Sequence, residues 1–586
     1  MRHFQHILCA ATLSATVAYG QTNRAIDPHL QQADTAFRAG YAAASSGDLA
    51  TARREFERVV QLAPQVEEGH SALGSVLYQL GDYTNSTQEL EKALHLKPGD
   101  AAAQENLALA YTQTSAYQKA LPLFQALDAA NSLSADAQAA YARALAATQQ
   151  LPAAIQKTQA AVVSAPQNAR LYDQLGSLYA QMQNWTEAKS AFEHALQLDS
   201  QLASAHLHLG VVLSSEQQTA AAIQELTTAT QLAPNNAVAQ LELGKALANA
   251  NQDDAAITHF QQAIQLDASS IEAKNQLAMA LQRSGKEQEA IPFFENVVAV
   301  QPQNAEALTN LGLALVQTGK AKEAIPYYQR ALAISPNDPT AHQDLGVAYL
   351  QQSNLDDAIR EFRAGLVLAA DSPQLHYNLG LAFKFKDDLP HAIAELESAA
   401  KLDPAAPDPP YTLGILYMQQ GRFNDATVQL RAALDRRPDN GDGWAILGSV
   451  YKQQASYDEA AAALRKAIAL MPNQPGPHIT LASVLQEQGK KEEAAAERKQ
   501  AADLTRVAVN RQRATFATNT GNALMQKGNV TDAVTHYLEA VTSDPTYADA
   551  HHQLAIAYER QGRASEAAVE RQKATSLEQS STQAHP

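Results

Sequence analysis

The chain has 586 residues, with 44 Lys and Arg against 61 Asp and Glu, and a formal net charge of −17. This length exceeds a single hydrophobic core, which stops growing near about 250–300 residues, so several domains or a repeat array are expected. The acidic balance argues against nucleic acid and against an anionic membrane surface, because both require basic patches. Aromatic residues make up only 6% of the chain, and its richness in Ala and Gln favours helices.

The N-terminus has the pattern of a secretory leader. Arg2 precedes an apolar stretch from Ile7 to Ala18, which is too short to span a bilayer, and small residues precede a cleavage site at Gly20-Gln21. We therefore predict a signal peptide over 1–20, a lead-in over 21–32, and export to the periplasm or the extracellular space of a bacterium. Cys9, the single cysteine, lies inside this leader, so the mature chain would hold together by packing alone.

A period of 34 residues covers nearly all of the remaining chain. Starts at 33, 67, 101 and every 34 residues to 475 give fourteen repeats over 33–508, and two further repeats occupy 514–581. Position 8 of each repeat is Gly or Ala in all sixteen, and position 20 is Ala in fifteen, with Ser86 as the exception. Position 24 is mostly Phe, Tyr or Leu, position 27 is Ala in twelve, and position 32 is Pro in ten.

This pattern resembles the tetratricopeptide repeat family throughout residues 33–581. The resemblance implies two antiparallel helices per repeat, here called helix A and helix B, and an all-α, right-handed superhelical α-solenoid. The positions make physical sense: small residues at 8 and 20 let the two helices approach, and the large residue at 24 fills the space around them. Pro at 32 cannot continue helix B. No repeat buries its apolar face alone, so stability is a sum over neighbours.

The period is interrupted by five extra residues at 509–513. Position 24 of the preceding repeat is Arg498, and the stretch from Lys490 to Arg513 has the pattern of one long charged helix. Two interpretations are open. Either the stacking changes, as a kink or as a boundary between a main array and a two-repeat tail, or helix B is merely longer. The last residues, 582–586, are expected to be disordered.

No catalytic motif stands out in the sequence. It contains no phosphate loop, no Gly-x-Ser-x-Gly, no His-Glu-x-x-His and no Cys cluster, and the flanks of the array are too short for a catalytic domain. His206 and His208, like His551 and His552, are too close in sequence to face the same way on a helix, which disfavours a metal site. We predict no enzyme activity, no cofactor and no metal.

The family resemblance implies that positions 2, 5, 6, 9, 12 and 13 of helix A point into a concave groove. Position 6 is Asn, Gln, His or Asp in nine repeats, and these residues are Asn106, Gln174, His208, Gln276, Asn310, Asp344, Asn378, Asn519 and Gln553. They are similar to an intermittent form of the Asn ladder in the repeats of large Ser/Thr sugar transferases, which holds the backbone of an extended peptide. An amide can donate and accept at once, as such binding requires. The alternative is an ordinary solvated polar face.

The four repeats over 305–440 carry apolar and aromatic residues at the groove positions. An exposed patch of this kind marks an interaction site, and aromatic side chains are good anchors. The alternative is that these residues pack against neighbouring helices. The predicted partner-binding residues are Asn310, Leu313, Asp344, Val347, Tyr377, Asn378, Leu381, Phe385, Tyr411, Ile415 and Met418.

The sequence therefore favours a non-catalytic protein–protein interaction scaffold in the cell envelope, which binds peptide segments or helices of other proteins in its groove. The alternative function is an adaptor for polysaccharide export or envelope assembly, resembling periplasmic repeat proteins of exopolysaccharide secretion. An aromatic-rich groove that binds glycan would favour this alternative.

Overall fold

The computed structural model describes residues 28–583. The chain divides into two compact parts, Met1–Pro302 and Gln303–Pro586, called here the N-terminal half and the C-terminal half. The predicted signal peptide over 1–20 and most of the lead-in lie outside the described residues, so the cleavage near Gly20 stays a prediction.

The described part of the N-terminal half consists of sixteen helices joined by short turns. They are α1 (Pro28–Ser46), α2 (Leu49–Leu62), α3 (Glu67–Gln79), α4 (Tyr83–Leu96), α5 (Ala101–Gln113), α6 (Tyr117–Ala129), α7 (Ala135–Ala147), α8 (Leu151–Ser164), α9 (Ala169–Gln181), α10 (Trp185–Leu198), α11 (Ala203–Ser215), α12 (Thr219–Leu232), α13 (Ala237–Asn249), α14 (Asp253–Leu266), α15 (Ile271–Arg283) and α16 (Glu287–Val300).

The C-terminal half continues in the same manner up to Gln583. Its helices are α17 (Ala305–Gln317), α18 (Ala321–Ile334), α19 (Pro339–Gln351), α20 (Leu355–Leu368), α21 (Pro373–Phe385), α22 (Leu389–Leu402), α23 (Asp408–Gln419), α24 (Phe423–Arg436), α25 (Gly441–Gln453), α26 (Tyr457–Leu470), α27 (Pro475–Glu487), α28 (Lys491–Gln526), α29 (Val530–Ser543), α30 (Ala548–Arg560) and α31 (Ala564–Gln583).

Each half is an all-α stack of antiparallel helix pairs, in which a helix packs on its partner and then on the next pair. Position 8 lies against position 24, as predicted. A Cβ atom added to Gly176 would lie 2.6 Å from Cε1 of Phe192, and one added to Gly312 would lie 2.7 Å from Cζ of Tyr328. Ser86, the exception at position 20, is buried and donates its hydroxyl to the carbonyl oxygen of Gly74 at 2.7 Å. The hydroxyl is thus satisfied where the other repeats have Ala.

The insertion at 509–513 lies inside one uninterrupted helix of 36 residues, α28. This helix joins helix B of the repeat at 475–508 to helix A of the repeat at 514–547, so the turn between them is absent. Arg506 stands where ten repeats have Pro, and α28 has no Pro and no Gly before Gly521, so no helix-breaking residue separates the two helices. The helix is therefore longer than either interpretation from the sequence allowed, because it also absorbs the next helix A.

The C-terminal end differs from the prediction in one respect. The final helix, α31, extends to Gln583, which is two residues into the segment 582–586 that we expected to be disordered. The stretch from Ala564 to Gln583 contains no Pro or Gly that would end the helix earlier. Arg571, at position 24 of this last repeat, is exposed and pairs with Glu559.

Candidate functional site

A large polar cavity lies in the N-terminal half. Its volume is about 1500 Å³, and helices α3, α5, α7 and α9 form its wall, while the turns before α7, α9 and α11 form its edge. Its lining includes residues at the predicted groove positions, namely Ala102, Asp136, Arg170 and Ser204 at position 2, Glu105, Ala139 and Asp173 at position 5, Asn106 and Gln174 at position 6, Ser75, Leu109 and Arg143 at position 9, and Tyr78 and Gln79 at positions 12 and 13.

An unusual turn between α6 and α7 shapes one edge of this cavity. Helix α6 ends at Ala129, and Asn131 has a φ of 52°, a left-handed conformation that Asn tolerates better than most residues. Ser132 stands here where most repeats have Pro. Ser134 accepts from the amide of Ala137 at 3.1 Å as the cap of α7, and donates its hydroxyl to Glu105. The turn thus holds polar groups at the rim.

Asp173 anchors a polar network in the cavity wall. Its carboxylate is buried, accepts from the hydroxyl of Ser204 at 2.7 Å and lies 2.8 Å from Nδ1 of His208. These contacts connect α9 to α11. Two further carboxylates of the wall, Glu105 and Asp136, and two guanidinium groups, Arg143 and Arg170, surround the same space. The cavity can therefore offer both donors and acceptors to a bound chain.

The amides at position 6 bond between neighbouring repeats. Asn106 is buried, and its Nδ2 donates to Oγ of Ser75 at 2.9 Å. Nε2 of Gln174 donates to the carbonyl oxygen of Ala139 at 2.8 Å. In these repeats the amide donors therefore tie adjacent helices A together, and a peptide ladder would have to use the remaining amide capacity.

The residues predicted to bind a partner all lie on helices A of the C-terminal half. Asn310 and Leu313 are on α17, Asp344 and Val347 on α19, Tyr377, Asn378, Leu381 and Phe385 on α21, and Tyr411, Ile415 and Met418 on α23. The structure places most of them half-buried. Four of them, Val347, Tyr377, Tyr411 and Met418, pack against one apolar core. Asn378 is buried and accepts from Gln374, whereas Phe385 is 62% exposed. Phe385 is thus the one freely exposed aromatic anchor of this strip.

Asp344 has an unusual environment within the strip. Burial, with a smaller contribution from the negative charge of Asp338, raises the pKa of Asp344 to about 6. The buried Tyr328 beneath it has a pKa raised by burial and by the charge of Asp344, and its hydroxyl has no hydrogen-bond partner. The side-chain nitrogen of Asn310 is likewise buried without a partner. These polar groups are costly to bury, which is more typical of a functional surface than of a packing surface.

The structure contains a set of His–Glu side-chain pairs that were not predicted from the sequence. His at position 4 lies beside Glu at position 23, as in His70–Glu89 at 2.6 Å, His342–Glu361 at 2.8 Å and His551–Glu570 at 2.5 Å. Hydrogen bonds and the charges of their Lys and His neighbours lower the pKa of Glu89 and Glu570 against the opposing effect of burial. The signal was available, because a His followed by a Glu 19 residues later recurs along the chain.

Two of the four histidines that the sequence offered as metal ligands, His206 and His551, belong to these pairs. Nδ1 of His206 lies 2.6 Å from Glu225 and its Nε2 lies 3.2 Å from the carbonyl oxygen of Ser200, whereas His208 turns to Asp173. In residues 28–583, His, Cys, Asp and Glu form no group of three that could hold a metal ion. Over the same residues, no helix is both long enough and apolar enough to cross a bilayer.

The fold and the cavity together define a helical-repeat protein. The chain contains tetratricopeptide repeats, since family profiles described as tetratricopeptide or TPR repeat match residues 37–101, 71–135, 169–202 and 521–562. Two further profiles also match, the C-terminal domain of cilia and flagella-associated protein 70 over residues 272–518 and the bacterial transcriptional activator domain over residues 198–338.

One curated relative is the cellulose synthase operon protein C of Xanthomonas axonopodis pv. citri (strain 306). It is 32% identical over 195 residues, which are 32% of this chain and 12% of the relative, so the chain spans only a small part of that protein. Among solved structures, the Cut9–Hcn1 hetero-tetramer of APC/C is 17% identical, with 90% of this chain and 96% of that chain covered and a TM-score of 0.31. YrrB, described as a TPR protein with an unusual peptide-binding site, is 24% identical, with coverage of 30% and 92% and a TM-score of 0.28.

Proposed function

We propose that this protein is a non-catalytic scaffold of the cell envelope that binds segments of other proteins in the polar cavity of the N-terminal half. The observation that carries the proposal is the cavity itself. Its volume of about 1500 Å³ is large enough to hold a segment of extended polypeptide. Donors and acceptors from four successive helices A line it, an arrangement suited to backbone amides and carbonyls. Export rests on the leader pattern at 1–20.

The test is a selection of displayed random peptides on the full chain, followed by affinity measurement for the enriched peptides. We expect the double variant Arg143→Glu, Arg170→Glu to weaken binding at least about tenfold, because both exposed guanidinium groups line the cavity. The matched control is Arg58→Glu, Arg431→Glu, which makes the same charge change at exposed positions outside the cavity. Equal affinity for both double variants would contradict the assignment of the cavity.

The strip of the C-terminal half is a second candidate surface for the same function. Phe385 tests it without disturbing the core, because the ring is largely exposed. If the strip binds a partner, Phe385→Ala weakens binding and leaves the melting temperature unchanged. The control is Val428→Ala, at an exposed position on α24. An unchanged affinity for Phe385→Ala would remove the strip from the proposal.

A second function, an adaptor for polysaccharide export, draws its support from the similarity to the cellulose synthase operon protein. Sugar-binding grooves usually stack sugar rings on aromatic side chains, and of the residues that line the cavity only Tyr78 is aromatic. The cavity therefore favours a peptide. Calorimetry with cellohexaose distinguishes the scaffold from the adaptor. If the chain binds cellohexaose and the double variant Arg143→Glu, Arg170→Glu abolishes this binding, the result favours the adaptor.

A further inference from the structure

The long helix α28 leaves one repeat without a following neighbour. In other repeats, positions 3, 7 and 10 of helix A pack on the preceding pair, as Ala341, Leu345 and Ala348 do, and these three residues are buried. The equivalent residues of α28 are Phe516, Thr520 and Ala523. Phe516 is 76% exposed and the other two are not buried. The repeat at 514–547 therefore does not stack on the repeat at 475–508.

The missing stacking leaves one face of α27 exposed, namely the face that a following repeat would cover. Position 5 of helix A faces the following repeat and is half-buried at Tyr377, Tyr411 and Ala445. At Ile479, the same position on α27, the side chain is 57% exposed. Because α28 continues straight, its downstream end carries the next helix A away from this face.

A groove of about 920 Å³ lies between α27 and α28 at this place. Its apolar residues are Ile479, Ala501, Ala502 and Val509, and its charged residues are Arg498, Arg506 and Arg513. Arg506 pairs with Asp503 at 3.0 Å, and Arg498 donates to Oε1 of Gln486 at 3.0 Å. None of the residues that line the groove is acidic, although the whole chain carries a formal net charge of −17.

The rest of the stack indicates what fits in such a groove. At the other junctions of this half, helix A of the following repeat occupies the corresponding place. The groove therefore has the dimensions of an α-helix, and its three arginines favour a helix with acidic side chains beside its apolar stripe.

A second copy of the chain fits the charges poorly. A reciprocal pairing of two α28 helices would set Arg498, Arg506 and Arg513 of one copy near those of the other, because a two-fold interface presents the same patch from both sides. Helix α1, the first helix that the structure describes, carries one acidic residue, Asp34, which already pairs with Arg38 at 2.9 Å.

We propose that the groove between α27 and α28 binds an amphipathic α-helix of another protein, with small or aliphatic residues on one stripe and Asp or Glu on both flanks. This site is separate from the cavity of the N-terminal half. The bound helix takes the place that helix A of a following repeat takes elsewhere in the stack.

The test uses three synthetic 21-residue helical peptides with the full chain. One has a stripe of Leu and Ala with Glu on the flanks, the second has Lys in place of Glu, and the third keeps Glu but replaces the stripe by Gln. A bimane label on Ser483→Cys, in a Cys9→Ser background, reports binding in the groove through quenching by a Trp in each peptide. The control label is on Val428→Cys, an exposed position on α24.

We expect the first peptide to quench the label at 483 and not the one at 428, and to bind at least about tenfold tighter than the other two. Arg506→Gln, Arg513→Gln is expected to weaken it about fivefold or more, whereas Arg431→Gln has no effect. Equal binding of the Glu and Lys peptides, or no quenching at 483, would overturn the proposal. If sedimentation velocity shows that the chain self-associates and Ile479→Ser abolishes this association, the proposal is overturned, and the groove binds a second copy of the chain.

Discussion

Gly346 illustrates how single residues set the spacing of helices α19 and α20. An added Cβ atom would lie 2.5 Å from Cε1 of Phe362, a buried ring with little freedom to move. We expect Gly346→Ala to destabilise the C-terminal half by about 1–3 kcal/mol, measured as a lower melting temperature, because the two helices must separate. The control is Gly476→Ala on α27, where no atom lies within 4 Å of the added Cβ. An equal effect of both substitutions would contradict this account of position 8.

Asp344 gives a prediction on pH. Burial raises the pKa of its carboxyl from 3.8 to about 6, so between these values the folded chain binds more protons than the unfolded chain. The stability of the C-terminal half therefore falls as the pH rises through this window. We expect Asp344→Asn to raise the melting temperature at pH 8, by a free energy on the order of 1 kcal/mol, and to have a smaller effect at pH 4.

The exposed Asp371 supplies the control for this experiment. Asp371→Asn removes the same charge from the same half and should leave the melting temperature nearly unchanged at both pH values. If Asp344→Asn raised the melting temperature equally at pH 4 and pH 8, the result would contradict the claim that burial disfavours the charged form of Asp344.

At the scale of elements, α28 connects the repeats before the insertion to the repeats after it. The middle segment of this helix has few contacts with the rest of the chain. Residues 505–509 and 511–513 are exposed. Downstream, the guanidinium of Arg511 pairs with Asp544 and lies 4.9 Å from the ring of Tyr547. The five inserted residues turn the helix face by about 140°, because each residue of an α-helix advances by about 100°. The repeats before and after the insertion therefore pack on different sides of one helix.

This arrangement predicts a local response to a helix breaker. Gln512→Pro removes one backbone hydrogen bond in the exposed segment, at a cost of roughly 3 kcal/mol. We expect faster hydrogen exchange of the amides near 508–514, with protection retained in α29 and α30, because the cores of that region form among residues 514–574. Gln512→Ala should change neither. Loss of protection throughout α29 and α30 would instead mean that their folding depends on an unbroken α28.

At the scale of the whole molecule, the sequence predicted the fold well because every repeat restates the same packing solution. Gly or Ala at position 8, Ala at 20 and a large residue at 24 identify the helix pairs, and the structure confirms them down to the contact of Gly312 with Tyr328. The fused helix α28 was only partly predictable. The sequence revealed the insertion and the missing Pro, but whether a turn forms depends on the packing of the next helix A.

The candidate site was harder to predict, because the sequence of a single repeat does not determine how exposed its side chains are or how the stack of repeats curves. The groove positions proved useful in the N-terminal half, where Glu105, Asn106 and Arg143 line the cavity. In the C-terminal half, the apolar residues at those positions, such as Tyr377 and Tyr411, pack largely against the core. Residue type alone could not separate an apolar side chain that faces the solvent from one that covers a neighbouring helix.

The most direct test of the central claim is hydrogen–deuterium exchange of the full chain with and without a peptide selected by display. Binding in the cavity predicts slower exchange in the turns before α7, α9 and α11, at residues 131–134, 165–168 and 199–202, together with the adjoining first turns of those helices. Exchange in the outer helices α8 and α10 should stay unchanged. Protection confined to the C-terminal half, or no protection at a saturating peptide concentration, would contradict the account.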